Sequence, residues 1–455
     1  MQSANNDNSM AQFLTRLFKR FNDEKLTYCV LRNYEELPEE VGNDVDIWVK
    51  DEHRKRLYEI VKDLADALDY TLDYTPRFSL IGEGDYFLIK EQGQKITVIH
   101  LDCWTYIHWK GICYIDESVI ENNLQLYKKL FFIPSPGVMA SIMMLKELLQ
   151  HGKLKEKYKE LTKEASKNDG RLFFNSICGP FGKGSAASIL EMAVNGEWEL
   201  LEQKAINFRL ILLSRAILHP AMQLRKWLYY FRAQFRKYLV SSRGVFLVLI
   251  GPDGSGKSTT FANLIISELK RLFQKRYYFH GHFPYLPELK RIIAFFRGNK
   301  NASQPTGDTG SSKPMGTLRS MIYPVYYGLN YLLGHFFIWK EKARGNLIIF
   351  DRYFYDYFIQ IQYGNCPKWL LSAIAKVIPK PDIIVYLKNT PKVIYRRKPE
   401  LTIEEIERQA YICEELVKQN KQSYIVETTS TESVIEDIQK IIINKLKETR
   451  GIKKL

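Results

Sequence analysis

At 455 residues, the chain is long enough for two or three domains of ordinary size. Its 45% hydrophobic and 26% charged composition excludes a fibrous or wholly disordered protein. A net charge of +15 points to anionic partners, whether nucleotides, nucleic acid or a membrane surface, without choosing among them.

The N-terminal stretch Gln2–Ser9 is polar and has no basic segment leading into an apolar run, so no secretory signal is expected. Strand-like runs at Tyr28–Leu31, Val45–Val49 and Thr97–Leu101 alternate with helical periodicity over Met10–Phe21 and Glu52–Leu68. This predicts a small α/β domain over residues 1–120. Helical patterns follow over residues 121–204, including Val138–Glu164 and Ala186–Ala205. The six cysteines (Cys29, Cys103, Cys113, Cys178, Cys366 and Cys413) form no CxxC pair and have no His at ligand spacing. A reduced, cytoplasmic protein without structural zinc is the expectation.

Residues 205–243 carry eight Lys or Arg and no Asp or Glu, interleaved with aromatic and aliphatic side chains such as Trp227, Leu228, Phe231 and Phe235. Two readings are open. The segment is a connector that packs its apolar stripe on a domain, or a basic amphipathic helix on an anionic membrane surface or nucleic acid.

A second α/β block spans residues 244–455, with apolar strand-length runs at Val245–Ile250, Leu347–Phe350 and Ile383–Leu387 and helical patterns between them. Arg297–Lys313, rich in Gly, Ser, Thr and Asn, reads as a surface loop. Met321–Trp339 is apolar, but Pro324, Asn330 and His335 interrupt it, so it is expected to be a buried helix and not a membrane span.

The run Gly251-Pro252-Asp253-Gly254-Ser255-Gly256-Lys257-Ser258 satisfies GxxxxGK[ST], and Thr259 opens a helical pattern behind it. Glycines at these positions let backbone N–H groups curl around a phosphate at a helix N-terminus. Lys257 supplies charge to the β- and γ-phosphates, and the Ser258 hydroxyl is a Mg²⁺ ligand candidate. Downstream, Asp351-Arg352-Tyr353 ends an apolar strand, at the edge where open α/β sheets place ligands. There a carboxylate can orient Mg²⁺ and a guanidinium can grip phosphate. Thr390-Pro391 suits a helix start, and Arg396-Arg397-Lys398 gathers three cations at its end. Thr402 and Glu405 form a capping-box pattern for a helix through Val417.

Together these elements resemble the thymidylate kinase family of P-loop kinases over residues 244–455. The resemblance implies ATP and Mg²⁺ as cofactors, with Gly251, Asp253, Gly254, Ser255, Gly256, Lys257, Ser258 and Thr259 around the nucleotide. It also implies that Asp351 assists the metal and acceptor, Arg352 holds phosphate, and Arg396 and Arg397 close over it. Two segments depart from the family pattern: Phe279-His280-Gly281-His282-Phe283-Pro284 and Phe354-Tyr355-Asp356-Tyr357. Both fall on acceptor recognition, so the acceptor stays open between a nucleoside monophosphate and a related phosphate- or sugar-like metabolite.

In the N-terminal domain, Asp44 and Asp46 stand two residues apart, so the period of a strand turns both to one face. Asp102 follows another strand. Three converging carboxylates repel one another unless they hold divalent metal, usually two Mg²⁺ ions. The arrangement resembles the nucleotidyltransferase superfamily over residues 10–120, with Leu31-Arg32-Asn33 where that family has a Gly-Ser turn. Active and degenerate forms of such a domain are both open.

The sequence therefore predicts an α/β protein: a nucleotidyltransferase-like domain, a helical middle, a basic connector and a P-loop kinase. It is expected to act on a small-molecule acceptor, with nucleic acid not expected as a partner, and a homodimer is one oligomeric option. The rival readings are an ATP-gated scaffold at the membrane and a nucleic-acid-modifying nucleotidyltransferase.

Overall fold

The computed structural model describes residues 4–77, 81–218, 220–239, 244–289, 291–292 and 314–450. The expected loop Arg297–Lys313 and the end of the connector, residues 240–243, lie outside the described residues. The chain divides into two compact units: Met1–Lys90 with Thr97–Arg236, and Lys237–Lys453 with Glu91–Ile96.

The first unit opens with α1 (Ala4–Asp23), whose Phe13, Leu14, Leu17, Phe18 and Phe21 recur at helical spacing and are all fully buried. A five-stranded sheet follows, comprising β1 (Tyr28–Val30), β2 (Val45–Val49), β3 (Thr71–Pro76), β4 (Gly84–Gln92) and β5 (Lys95–Trp104). Their spatial order is β1-β2-β5-β4-β3, with β2 and β5 parallel. Between β2 and β3, α2 (Arg54–Ala67) buries Leu57, Ile60, Val61 and Leu64. Only three of these strands are visible as apolar runs. β3 and β4 alternate buried with half-exposed residues and carry many polar side chains, so they lack the continuous apolar signal.

The helical part contains α3 (Pro136–His151), α4 (Glu156–Asn168), α5 (Gly170–Phe181) and α6 (Lys183–Asn195). The helical stretch expected over Val138–Glu164 comprises two helices, because Gly152 takes a left-handed conformation that closes α3. The described residues of the connector form two helices, α7 (Ala205–Leu218) and α8 (Pro220–Leu239). Helix α8 attaches to the first unit through the Gln223 amide, which donates to the Gly111 carbonyl at 2.8 Å, and through Trp227, which packs on the helical core.

The second unit is a five-stranded parallel sheet, with order β7-β8-β6-β9-β10. Here β6 is Val245–Ile250, β7 Arg276–His280, β8 Leu347–Asp351, β9 Ile383–Lys388 and β10 Ser423–Glu427. Its helices include α9 (Lys257–Ile266), α10 (Thr317–Ala343), α11 (Pro391–Arg397), α12 (Ile403–Gln419) and α13 (Thr431–Arg450). Strand order reverses at β6, which is buried at every residue, and crevices for ligands open at the carboxyl ends of strands at such a point. The Thr402 hydroxyl accepts from the Glu405 N–H at 3.3 Å, so α12 begins at the expected cap.

Helix α10 differs in one respect from the expected buried helix. Ser320, Pro324, Tyr327, Asn330, Tyr331 and Ile338 are buried, whereas Leu318, Val325, Leu329, Leu333 and Phe336 are exposed. The polar interruptions have local tasks. Asn330 brackets Phe283, accepting from its N–H at 2.9 Å and donating to its carbonyl at 3.0 Å. A Cβ at Gly334 would lie 2.0 Å from the Phe283 ring. Among the described residues, no helix is long and apolar enough to cross a membrane.

Candidate functional site

The turn after β6 is built by glycine. Gly251, Gly254 and Gly256 have φ of 147°, 89° and 100°, which L side chains rarely adopt. A Cβ on Gly251 would also fall 2.9 Å from Ser255 Oγ, and one on Gly254 would fall 3.2 Å from the Ile394 carbonyl. The loop leads directly into α9 with Gly256 as N-cap, so its backbone N–H groups converge where the helix dipole is positive.

This loop lines one wall of a cavity of about 600 Å³. Asp351 and Arg352 reach it from the end of β8, His280 from the end of β7, Arg397 and Lys398 from the end of α11, and Thr428–Thr431 from beyond β10. All five strands run parallel, so residues far apart in sequence meet at one sheet edge.

Lys257 is buried and donates to the carbonyls of Gly251 at 2.7 Å and Pro252 at 3.1 Å. Asp253 collects three cations: Arg352, which donates to its Oδ1 at 2.5 Å, Lys398 at 3.5 Å and Lys257 at 3.8 Å. Burial opposes the Asp253 charge, yet these cations outweigh it and hold the carboxyl below its ordinary value. Asp351 is 2% exposed; its Oδ2 accepts from the Tyr278 hydroxyl at 3.2 Å and lies 3.4 Å from His280 Nδ1. Burial again opposes the charge, and the His280 contact and Lys257 prevail, so Asp351 also sits below its usual range. Its Oδ1 is buried without a hydrogen-bond partner among the described residues, as is Ser255 Oγ.

These groups fit a magnesium-bound triphosphate. The loop offers N–H donors, Lys257, Arg352, Arg397 and Lys398 offer positive charge, and an unpartnered carboxylate oxygen stands beside an exposed Ser258. Arg396 and Arg397 are both exposed on α11, but only Arg397 lines the cavity. Sequence reasoning missed Tyr278 and Thr428–Thr431, and singled out His280 only within a segment that departs from the family pattern. Their signal was positional, since each lies on or just after a strand of the parallel sheet.

Behind the loop lies a second, much smaller cavity of about 20 Å³, bounded by Asp253, Asp356, Gln360, Gln362 and Gln409. Burial pushes the Asp356 carboxyl up to about 6, despite the nearby Lys257 and Arg352.

In the first unit, Asp44, Asp46 and Asp102 offer carboxylate oxygens within 4.8 Å of one another, so the expected triad does converge. Asp46 and Asp102 are direct register partners on β2 and β5. Protein cations relieve their repulsion, where the sequence predicts a divalent metal. Arg32 pairs with Asp46 and lies 3.7 Å from Asp44, Arg77 donates to Asp102 at 2.6 Å, and Lys146 lies 3.9 Å from Asp46. Arg77 also stacks 3.6 Å over Trp104. Burial raises both Asp44 and Asp102; Asp46 adds to the rise at Asp44, and Arg77 offsets part of it at Asp102. Three carboxylates facing three cations can hold a divalent ion only if the cations yield or pair with a ligand's own phosphates.

Fold and site together define the second unit as a P-loop α/β unit of the doubly wound, all-parallel kind. No protein-family model and no curated protein matches the sequence. Among solved structures, the chain is similar to a thymidylate kinase from Ehrlichia chaffeensis, with a TM-score of 0.30 and 15% identity over 44% of this chain and 98% of that one. A likeness this distant assigns nothing, and the class rests on the geometry above.

Proposed function

We propose that the second unit transfers a phosphoryl group from ATP to a small acceptor. The observation that carries this reading is the convergence of the Gly251–Ser258 loop, Lys257, Arg352 and the unpartnered Asp351 Oδ1 on one cavity. Lys257 would leave its carbonyl partners for the β- and γ-phosphates. Arg352 and Lys398 would exchange Asp253 for phosphate oxygens, and Arg397 would add charge from the end of α11. Asp351 and Ser258 would hold Mg²⁺, which supplies charge neutralisation to the phosphates when bound. Little covalent work falls to the protein in such a reaction; positioning and charge carry it. The acceptor we favour is a nucleoside monophosphate or a related phosphate- or sugar-like metabolite. A screen of small metabolites for acceptor-dependent ADP release tests this. Unchanged release by Lys257→Ala would remove the assignment.

A second reading concerns the first unit, and the mutual approach of Asp44, Asp46 and Asp102 supports it. Here the triad, with Arg32 and Arg77 as phosphate partners, would serve nucleotidyl transfer from a triphosphate. Pyrophosphate release that survives Lys257→Ala but is lost in Asp44→Ala would support it. A chain that releases none with any triphosphate offered would leave a paired, non-catalytic site.

A further inference from the structure

Helix α8 has two apolar faces, and the first unit uses one of them. Gln223 and Trp227 turn inward, and a Cβ at Gly111 would lie 3.2 Å from Tyr230. The other face carries Leu224, Leu228, Phe231 and Phe235, which are 57%, 62%, 63% and 62% exposed. At 100° per residue these four occupy a sector of about 60°, and at 1.5 Å per residue they form a ridge roughly 17 Å long. Exposed Arg232 and Arg236 lie beside the ridge, on the flank away from the inward face. Helix α7 also exposes Ile206, Leu210 and Ile217. Across residues 205–243 there are eight Lys or Arg and no Asp or Glu.

We propose that this exposed face of α8 seats on an anionic lipid bilayer, as a helix lying in the interface plane. The charge pattern selects this occupant. An apolar ridge flanked by cations matches the boundary between acyl chains and acidic headgroups, where Leu and Phe are buried while Arg meets phosphate. A second copy would bring eight further cations against these eight with no acid to meet them. Nucleic acid would satisfy the arginines but leave Leu228, Phe231 and Phe235 without an apolar counterpart. The exposed ridge of α10 crosses residues 320–339, which contain no Asp, Glu, Lys or Arg, so it lacks the charge argument.

The full-length chain, sedimented with phosphatidylcholine vesicles and with vesicles containing about a third phosphatidylglycerol, tests the proposal. Expected is partition onto the anionic vesicles alone, weakened by about ten-fold or more when salt is raised to roughly 0.5 M. Leu228→Asp with Phe231→Asp should cut binding by about ten-fold or more, since an apolar anchor becomes a charge facing acidic lipid. Arg232→Glu with Arg236→Glu should do the same, while Leu329→Asp on α10 should bind as the parent does. All four positions on α8 are exposed, and unchanged thermal melting of each variant would establish that the fold is intact. Absence of binding, equal binding to both vesicle types, or a loss confined to Leu329→Asp would overturn the proposal. So would a soluble dimer, or a nucleic-acid complex without vesicle binding, that the ridge variants dissolve.

Discussion

The Arg352 guanidinium donates to Asp253 Oδ1 at 2.5 Å, joining the end of β8 to the phosphate loop across 99 residues of sequence. In this arrangement the carboxylate of the loop occupies cations that a phosphate would otherwise take. Asp253→Asn should therefore alter stability and ligand affinity in opposite senses. Loss of charge-assisted hydrogen bonds should cost about 1.5–3 kcal/mol at neutral pH, read by denaturant titration. Because the folded carboxyl sits below its ordinary value near 3.9, its stabilisation is present above pH 4 and lost as pH falls through the folded value. The variant's stability should accordingly be flatter in that acid range. Inorganic triphosphate, titrated calorimetrically, should bind the variant more tightly, since Arg352 and Lys398 no longer have to leave an anion.

Lys257→Ala removes the loop lysine that, in the proposed function, meets the β- and γ-phosphates. Acceptor-dependent ADP release should fall by about 10²–10³-fold, the scale seen when one preorganised charge-stabilising donor is lost. Melting temperature should fall modestly, because the carbonyls of buried Gly251 and Pro252 lose their donor and Asp253 loses one of its three cations.

Glu83 is 0% exposed, and neither of its carboxylate oxygens has a hydrogen-bond partner among the described residues. Burial pushes its carboxyl up to about 8, outweighing the pull of Arg77. A folded value above the ordinary ~4.3 means that the native state binds the extra proton, so stability should decline as pH rises from about 4 to 8 and then level off. Glu83→Gln should remove that slope. Urea titrations of both proteins at a series of pH values would show it, and parallel curves would refute it.

Arg32→Ala leaves Asp46, whose side chain is 2% exposed, without its nearest guanidinium. Breaking a buried pair in this way should cost about 3–5 kcal/mol. If the triad can take a divalent ion, millimolar Mg²⁺ should raise the variant's melting temperature by more than it raises the parent's. Equal shifts would argue against a metal at Asp44, Asp46 and Asp102.

Much of the second unit was legible because its signals are local. The β6 run, the glycine positions and the Asp351-Arg352 pair each fall within a few consecutive residues. The remaining site members were hidden because only the assembled sheet brings them together. Thr428–Thr431 look like an ordinary polar turn until β10 is seen to end beside β9. The separation of Arg397 from Arg396 is a matter of helical phase, since adjacent residues on α11 point about 100° apart. In the first unit the carboxylates could be read from the period of a strand, but Arg77 and Lys146 could not. They arrive from just beyond β3 and from α3, and only tertiary packing sets them against the triad.

Arg352 has φ of 61°, the left-handed region that favours glycine. Glycine at this position would relieve about 1–2 kcal/mol of backbone strain but forfeit the Arg352–Asp253 bonds, worth about 1.5–3 kcal/mol. A selection for folding alone should therefore show little preference between arginine and glycine at this codon, whereas arginine should be kept where the proposed phosphoryl transfer is scored.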